Sequence, residues 1–202
     1  MEPQLLRKGD ATRARILETA AREAAQKGLG AVSLGELAGA VGLSKSGLFK
    51  HFESKEAMQQ AVVEQITARF ADFVWAPAID LAPGRARLEK VFRRWLDWAE
   101  LEWPASGCPM VTFSIELDDQ PGPLRDYLQG QLRRWRRTLM REFAAIRTPP
   151  LDEDQAELCY FEMKSLVLGH TEARRMMGDM DARGLAERAF AGLLKRAEIG
   201  AV

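Results

Sequence analysis

Ser33-Leu34-Gly35-Glu36-Leu37-Ala38-Gly39-Ala40-Val41-Gly42-Leu43-Ser44-Lys45-Ser46-Gly47-Leu48-Phe49-Lys50-His51-Phe52 is the stretch from which the fold is read. Ser33 and Glu36 have the spacing of a capping box, in which hydroxyl and carboxylate satisfy each other's backbone donors at a helix start. The helix they open runs through Leu34, Leu37, Ala38 and Val41. Gly42 breaks it in a tight turn, and Ser44 caps a further short helix to about Lys50. Two short helices on a short turn make a helix-turn-helix, whose second helix presents its N-terminal residues to the major groove. Here those residues are Ser44, Lys45, Ser46 and Gly47. Lys45 is long enough to reach a guanine edge or a phosphate, and Gly47 lets the backbone approach a duplex closely.

Upstream, Asp10 or Thr12 is placed to cap a first helix, with Ile16, Leu17, Ala20, Ala21 and Ala24 on one face and Gly28 and Gly30 ending it. Helices over 12–27, 34–40 and 44–50 form a three-helix head. Downstream, a fourth helix runs from Ser54 to about Trp75, and Pro77 and Pro83 mark the connection after it. The next helix, from about Pro83 to Glu102, carries Leu88, Val91, Phe92, Trp95, Leu96 and Trp98. After a break over 104–109, a shorter helix reaches about Leu117. A turn over 118–123 opens a long helix to about Ile146, and two more fit 152–177 and 181–198. With no strand pattern or internal repeat, the class is all-α. Residues 1–55 form the head, and residues 56–202 form a second domain of about six helices.

Hydrophobic residues make up 47% and charged residues 29%, a globular balance with material for a core. No apolar run reaches the ~18 residues of a membrane span, and the polar N-terminus has no signal-peptide core. A cytoplasmic protein is expected. Cys108 and Cys159 lack zinc spacing and are expected reduced and partly buried. Cys108, after Gly107 and before a helix, also has the setting of a redox-sensitive thiol. His51 and His170 are the only histidines. Phosphate loop, nucleophile elbow, zinc motif and paired Glu-x-x-His pattern are all missing, which argues against an enzyme, a metal or a cofactor. The zero net charge is uneven: residues 1–55 carry nine Lys/Arg against six Asp/Glu, an excess of +3, and the rest twenty against twenty-three. Lys45 and Lys55 sit in first helical turns, where the macrodipole favours anions. A bound phosphate would resolve the conflict, and plain solvation is the alternative.

Arg15-Ile16-Leu17, Ala20-Ala21, Gly28, Ser33, Leu37-Ala38, Val41 to Ser44 and Gly47 to Glu56 together resemble the DNA-binding domain of the TetR family of bacterial regulators. The resemblance spans residues 12–58. It implies that Ser33, Ser44, Lys45, Ser46, Phe49, Lys50, His51 and Lys55 face DNA. Phe49 stands where the family usually has tyrosine, so a phosphate-bonding hydroxyl is missing and weaker positioning is expected. His51 is either a phosphate donor or a packing residue at a helix end, and Leu48 and Phe52 read as core.

From about Ala57 the chain is similar to the family's ligand-binding and dimerisation domain. Residues 108–126, with Glu116-Leu-Asp-Asp-Gln-Pro-Gly-Pro123, resemble a C-terminal subgroup. The resemblance implies a homodimer on a pseudo-palindromic double-stranded DNA operator. Its interface on the last two helices would use Phe161, Leu166, Leu168, Phe190, Leu193 and Leu194. A small-molecule effector would meet Trp95, Trp98, Met110, Phe113, Trp135 and Tyr160, which otherwise fill the core. Glu116, if buried, needs an arginine or a cationic ligand, and a surface position is the alternative. The run Arg133-Arg134-Trp135-Arg136-Arg137 with Arg141 reads as a solvated face with i,i+4 partners, or else as a second nucleic-acid surface. The function implied is a repressor released from its operator by the effector, with coupling through the fourth helix. The alternatives are an activator and a helical interaction protein that has lost DNA binding.

Overall fold

Nine α-helices are found among the described residues, 8–202, of this computed structural model. They are α1 (Lys8–Lys27), α2 (Leu34–Ala40), α3 (Lys45–Phe49), α4 (Lys55–Phe70), α5 (Arg85–Asp97), α6 (Pro109–Glu116), α7 (Pro123–Ala144), α8 (Glu153–Arg175) and α9 (Ala182–Ile199). No strand occurs among these residues, so the class is all-α, with a helix-turn-helix head and a helical C-terminal part. None of the helices is long and apolar enough to cross a membrane.

The boundaries depart from the periodicity in three places. The described part of α1 is already under way at Lys8. Asp10 is therefore not its cap but a first-turn carboxylate, where it suits the positive end of the dipole. The fourth helix loses α-geometry at Phe70 and continues as a π turn over Ala71–Trp75 and a 3-10 turn over Ala76–Ala78. Pro77 lies in that last turn, where a missing N–H costs nothing. Beyond α5 a second π turn spans Trp98–Glu102, ahead of Pro104.

The fold divides into two compact units. The first comprises the described residues up to Arg69 together with Cys108–Gln129. The sequence suggested a boundary after residue 55, whereas this unit groups α4 and α6 with the head. Ile16, Leu37, Leu48, Met58 and Phe113 are fully buried, and Phe52 nearly so. Arg15 donates to the Val41 carbonyl at 3.0 Å, tying α1 to the helix-turn-helix turn, where Gly42 takes φ +70°. The Arg13 guanidinium lies 4.7 Å from the Phe52 ring centre, a cation–π contact.

The second unit comprises Phe70–Gly107 and Gly130–Val202. Phe92 of α5 stacks on Phe190 of α9 with centroids 4.0 Å apart. Leu193 and Leu194 are buried with it. The buried Glu142 carboxylate accepts from the Gly84 N–H at 3.1 Å and from Arg87 at 2.8 Å, which satisfies an otherwise costly charge. Burial, with the Glu162 carboxylate nearby, pushes the Cys159 thiol up to about 11. Neither cysteine is in a disulfide, and both are buried.

A polar cluster ties the second π turn to α8 and α9. Glu100 lies 2.8 Å from His170 Nε2 and accepts from Arg183 at 3.0 Å, and Arg183 also reaches Asp97 at 2.9 Å. Burial pushes the Glu100 carboxyl up, but the bonds from His170 and Arg183 and the charge of Arg174 outweigh it. The net result lies below the usual value. A depressed carboxylate stabilises the fold above its unfolded value of 4.5 and loses that contribution as pH falls through the folded value. Melting followed by circular dichroism from about pH 6 to about pH 3 should show this loss, and Glu100→Gln should flatten it. Parallel profiles for the two proteins would remove Glu100 from the account.

Candidate nucleic-acid interface

Recognition-helix geometry begins with its cap. Ser44 Oγ accepts the Gly47 N–H at 3.0 Å and lies 3.0 Å from Ser46 Oγ. A Cβ on Gly47 would stand 3.2 Å from that same oxygen, so glycine also protects the cap. Ser33 Oγ accepts the Glu36 N–H at 3.5 Å, which forms the serine half of the expected box. Ser44, Lys45, Ser46, Phe49 and Lys50 are exposed, while Ser33, Gly47, His51 and Lys55 are half-buried. Leu48 and Phe52 point inward, as core residues. Ser44→Ala should cost about 1 kcal/mol through the lost cap. A melt of the free protein checks this, and an unchanged midpoint would count against the cap.

Lys45 and Lys55 differ. Lys45 is exposed at the first position of α3 and its ammonium has no partner among the described residues. Lys55, at the first position of α4, donates to the Gly30 carbonyl at 2.6 Å, so a backbone dipole already answers its charge.

The turn that Lys55 reaches is the least expected feature of the first unit. Glu116, the last residue of α6, accepts the Leu29 N–H through Oε2 and the Gly30 N–H through Oε1, both at 2.6 Å. Gln59 of α4 donates to the Leu29 carbonyl at 2.9 Å. Gly28 has φ +92°, and a Cβ there would fall 2.8 Å from Glu116 Oε2; one on Gly30 would fall 3.1 Å from Oε1. The Gly28-Leu29-Gly30 turn thus offers its amides to α6 and its carbonyls to α4. The half-buried Glu116 meets neither arginine nor solvent alone, but two successive backbone donors. Two consecutive amides beside glycines make an anion-binding nest, the one sequence signal that could have found this pairing.

The residues expected around an effector divide between the units. Met110, Phe113 and Glu116 lie on α6 in the first. In the second, Trp95, Trp98 and Trp135 converge edge-on on Phe70, with centroids 5.7, 5.5 and 5.1 Å from its ring. Their indole nitrogens are buried without a hydrogen-bond acceptor among the described residues, an unusual state for a tryptophan donor. Tyr160 of α8 is buried, which raises its hydroxyl above the ordinary phenol value.

The interface residues divide too. Phe161 is 65% and Leu168 38% exposed, and Leu166 is half-buried. Phe190, Leu193 and Leu194 lie instead in the chain's own interior, because α9 turns these apolar positions inward toward α5 and α8.

Comparison with known proteins supplies a context for this geometry. Residues 16–62 match the family described as bacterial regulatory proteins, tetR family. Residues 84–190 match the tetracyclin repressor-like C-terminal domain. No curated protein matches the chain. Among solved structures, a TetR-family transcriptional regulator from Cytophaga hutchinsonii is similar over 97% of this chain and 99% of its own, with 23% identity and TM-score 0.78. A TetR-family regulator from Streptomyces coelicolor is similar over 92% of this chain and 95% of its own, with 18% identity and TM-score 0.79. AibR, solved in complex with isovaleryl coenzyme A and operator DNA, is similar over 91% and 98%, with 21% identity and TM-score 0.74. At these identities the structural likeness is one of fold.

Proposed function

This chain belongs to the TetR family of DNA-binding transcriptional regulators, and from that premise we propose that it is a cytoplasmic, homodimeric repressor released from its operator by a small molecule. The observation that carries the reading is the exposed Ser44-Lys45-Ser46 edge of α3, with an uncommitted ammonium at the start of a capped helix. Two such edges in a dimer read successive major grooves of a pseudo-palindromic site. Phosphates neutralise Lys45, while Ser33, Phe49, Lys50 and His51 position the head on the backbone. Leu158, Phe161 and Leu168 share one exposed face of α8 and support the pairing of subunits there.

The effector is an apolar molecule with hydrogen-bond acceptors, which the buried indole donors of Trp95, Trp98 and Trp135 would engage. The isovaleryl coenzyme A bound to AibR makes acyl compounds the first class to screen. A shift of α6 on effector binding draws Glu116 off the Leu29 and Gly30 amides. Lys55 and Gln59 hold the same turn from α4, so both helices bear on the head. Couplings of this kind change operator occupancy by about 5–150-fold.

A reporter on the promoter next to the bound site tests the direction of control. Deleting the gene should raise expression, and adding effector to the wild type should do the same. A fall on deletion would establish an activator instead.

A further inference from the structure

The face of α7 turned away from buried Leu139 and Phe143 borders a groove of about 520 Å³ that the regulatory cycle above leaves unused. Arg134, Arg137 and Arg141 line it at i, i+3 and i+7, a row of about 10 Å along the helix. Met140, Ala144 and Leu151 supply apolar surface, and Asp152 and Glu153 at the start of α8 are its acidic members.

These arginines are placed against the helix's own interest. Arg133 with Arg137, and Arg137 with Arg141, are like charges at i,i+4, an arrangement that destabilises a helix. The expected i,i+4 partners are absent: Arg134 and Arg137 make no hydrogen bond or ion pair among the described residues. Arg141 has only a 3.5 Å contact with the Thr138 hydroxyl. Their neighbour Arg136, by contrast, pairs with Glu157 of α8. Arg85, Arg87, Arg94 and Arg183 in the same unit also end on carboxylates. Asp152 is committed as well, since its carboxylate caps α8 through the Gln155 N–H at 2.8 Å. Among the described residues the groove therefore holds three guanidiniums without a carboxylate partner against two carboxylates, one of them engaged as the α8 cap, beside an apolar surface.

We propose that this groove binds a small phosphorylated amphiphile. The planar forks of Arg134, Arg137 and Arg141 match phosphate oxygens in pairs, and the aliphatic part lies on Met140 and Leu151. The volume is that of a small-molecule site. A nucleic-acid backbone would bring its phosphates up to Asp152 and Glu153 and would make no use of the apolar surface.

Calorimetric titration of the full chain with n-octyl phosphate, inorganic phosphate and n-octanol tests the site. Octyl phosphate should bind once per chain and at least tenfold tighter than either of its parts. Arg137→Gln should weaken that binding at least tenfold while raising the melting temperature of the free protein, because two like-charge contacts disappear. Trp135→Phe should leave octyl phosphate binding intact, separating this groove from the indole cluster assigned to the effector. Unchanged affinity in Arg137→Gln, or a lowered melting temperature, would overturn the proposal. Displacement of octyl phosphate by a non-operator duplex would also overturn it, in favour of a second nucleic-acid surface.

Discussion

Glu116→Ala should lower the melting temperature by about 5 °C and weaken operator binding at least tenfold, without changing the salt dependence of that binding. The carboxylate makes two charge-assisted bonds at 2.6 Å. Hydrogen bonds to charged groups contribute roughly 1.5–3 kcal/mol each. The Gly30 amide is exposed and water replaces its partner, so the net loss is about 2 kcal/mol rather than the full sum. Glu116→Gln, which keeps one carbonyl acceptor, should fall between alanine and wild type. Gly28→Ala should reproduce the lesion from the other side, since it strains a residue at φ +92° and places a methyl 2.8 Å from the carboxylate. The double variant should lose less than the two single losses combined, because both remove the same pairing. The salt slope separates the roles: Glu116 holds the turn and touches no phosphate. An unchanged melt in Glu116→Ala would show that the clamp is not a stabilising contact.

Lys45→Ala should act in the opposite way, sparing stability and removing electrostatics. Its side chain is exposed and has no partner among the described residues, so a melt should not move. In a dimer the substitution deletes two phosphate contacts. Each contributes about 0.9 to the slope of log K against log salt, so the slope should shrink by about 1.8. Affinity should fall about 10–100-fold and by a similar factor on operator and random DNA, as loss of a phosphate contact requires. Lys55→Ala should behave differently, because its ammonium already bonds the Gly30 carbonyl. Its main effect should be a lower melting temperature, with little change in slope. Anisotropy titrations across a salt series check both, and identical slopes for wild type and Lys45→Ala would take Lys45 off the DNA.

The head was legible because its signals are local. Ser33 and Ser44 bond backbone donors three residues on, Gly42 sits in the turn, and Leu48 and Phe52 face inward at helical spacing. The π turns after α4 and α5 were not legible, since the apolar pattern runs through Trp75 and Glu102 without a break. Glu116 reads as meeting an arginine, a cationic ligand or solvent, because its backbone partners lie 86 and 87 residues away, beyond the reach of any periodicity. Phe190, Leu193 and Leu194 show a limit of the same kind. A 3.6-residue period says that a face is apolar but not whether this chain or a second copy covers it, and here α9 turns them into its own interior. The arginine run of α7 reads as a solvated face with i,i+4 partners or as a second nucleic-acid surface, yet among the described residues Arg134 and Arg137 have no side-chain contact and Arg141 has a weak one. Pairing depends on which residues of α8 come alongside.

The central claim is that this chain recognises a specific DNA site through α3, and one measurement tests it most directly. The purified full-length protein is titrated onto the DNA upstream of its own gene and onto random duplex of equal length, across a range of salt. The account predicts binding of two chains per site, at least a thousandfold tighter than to random DNA at physiological salt and weakening steeply as salt rises. Binding to every tested upstream and genomic fragment no tighter than to random duplex would contradict it and leave the head without a recognition role.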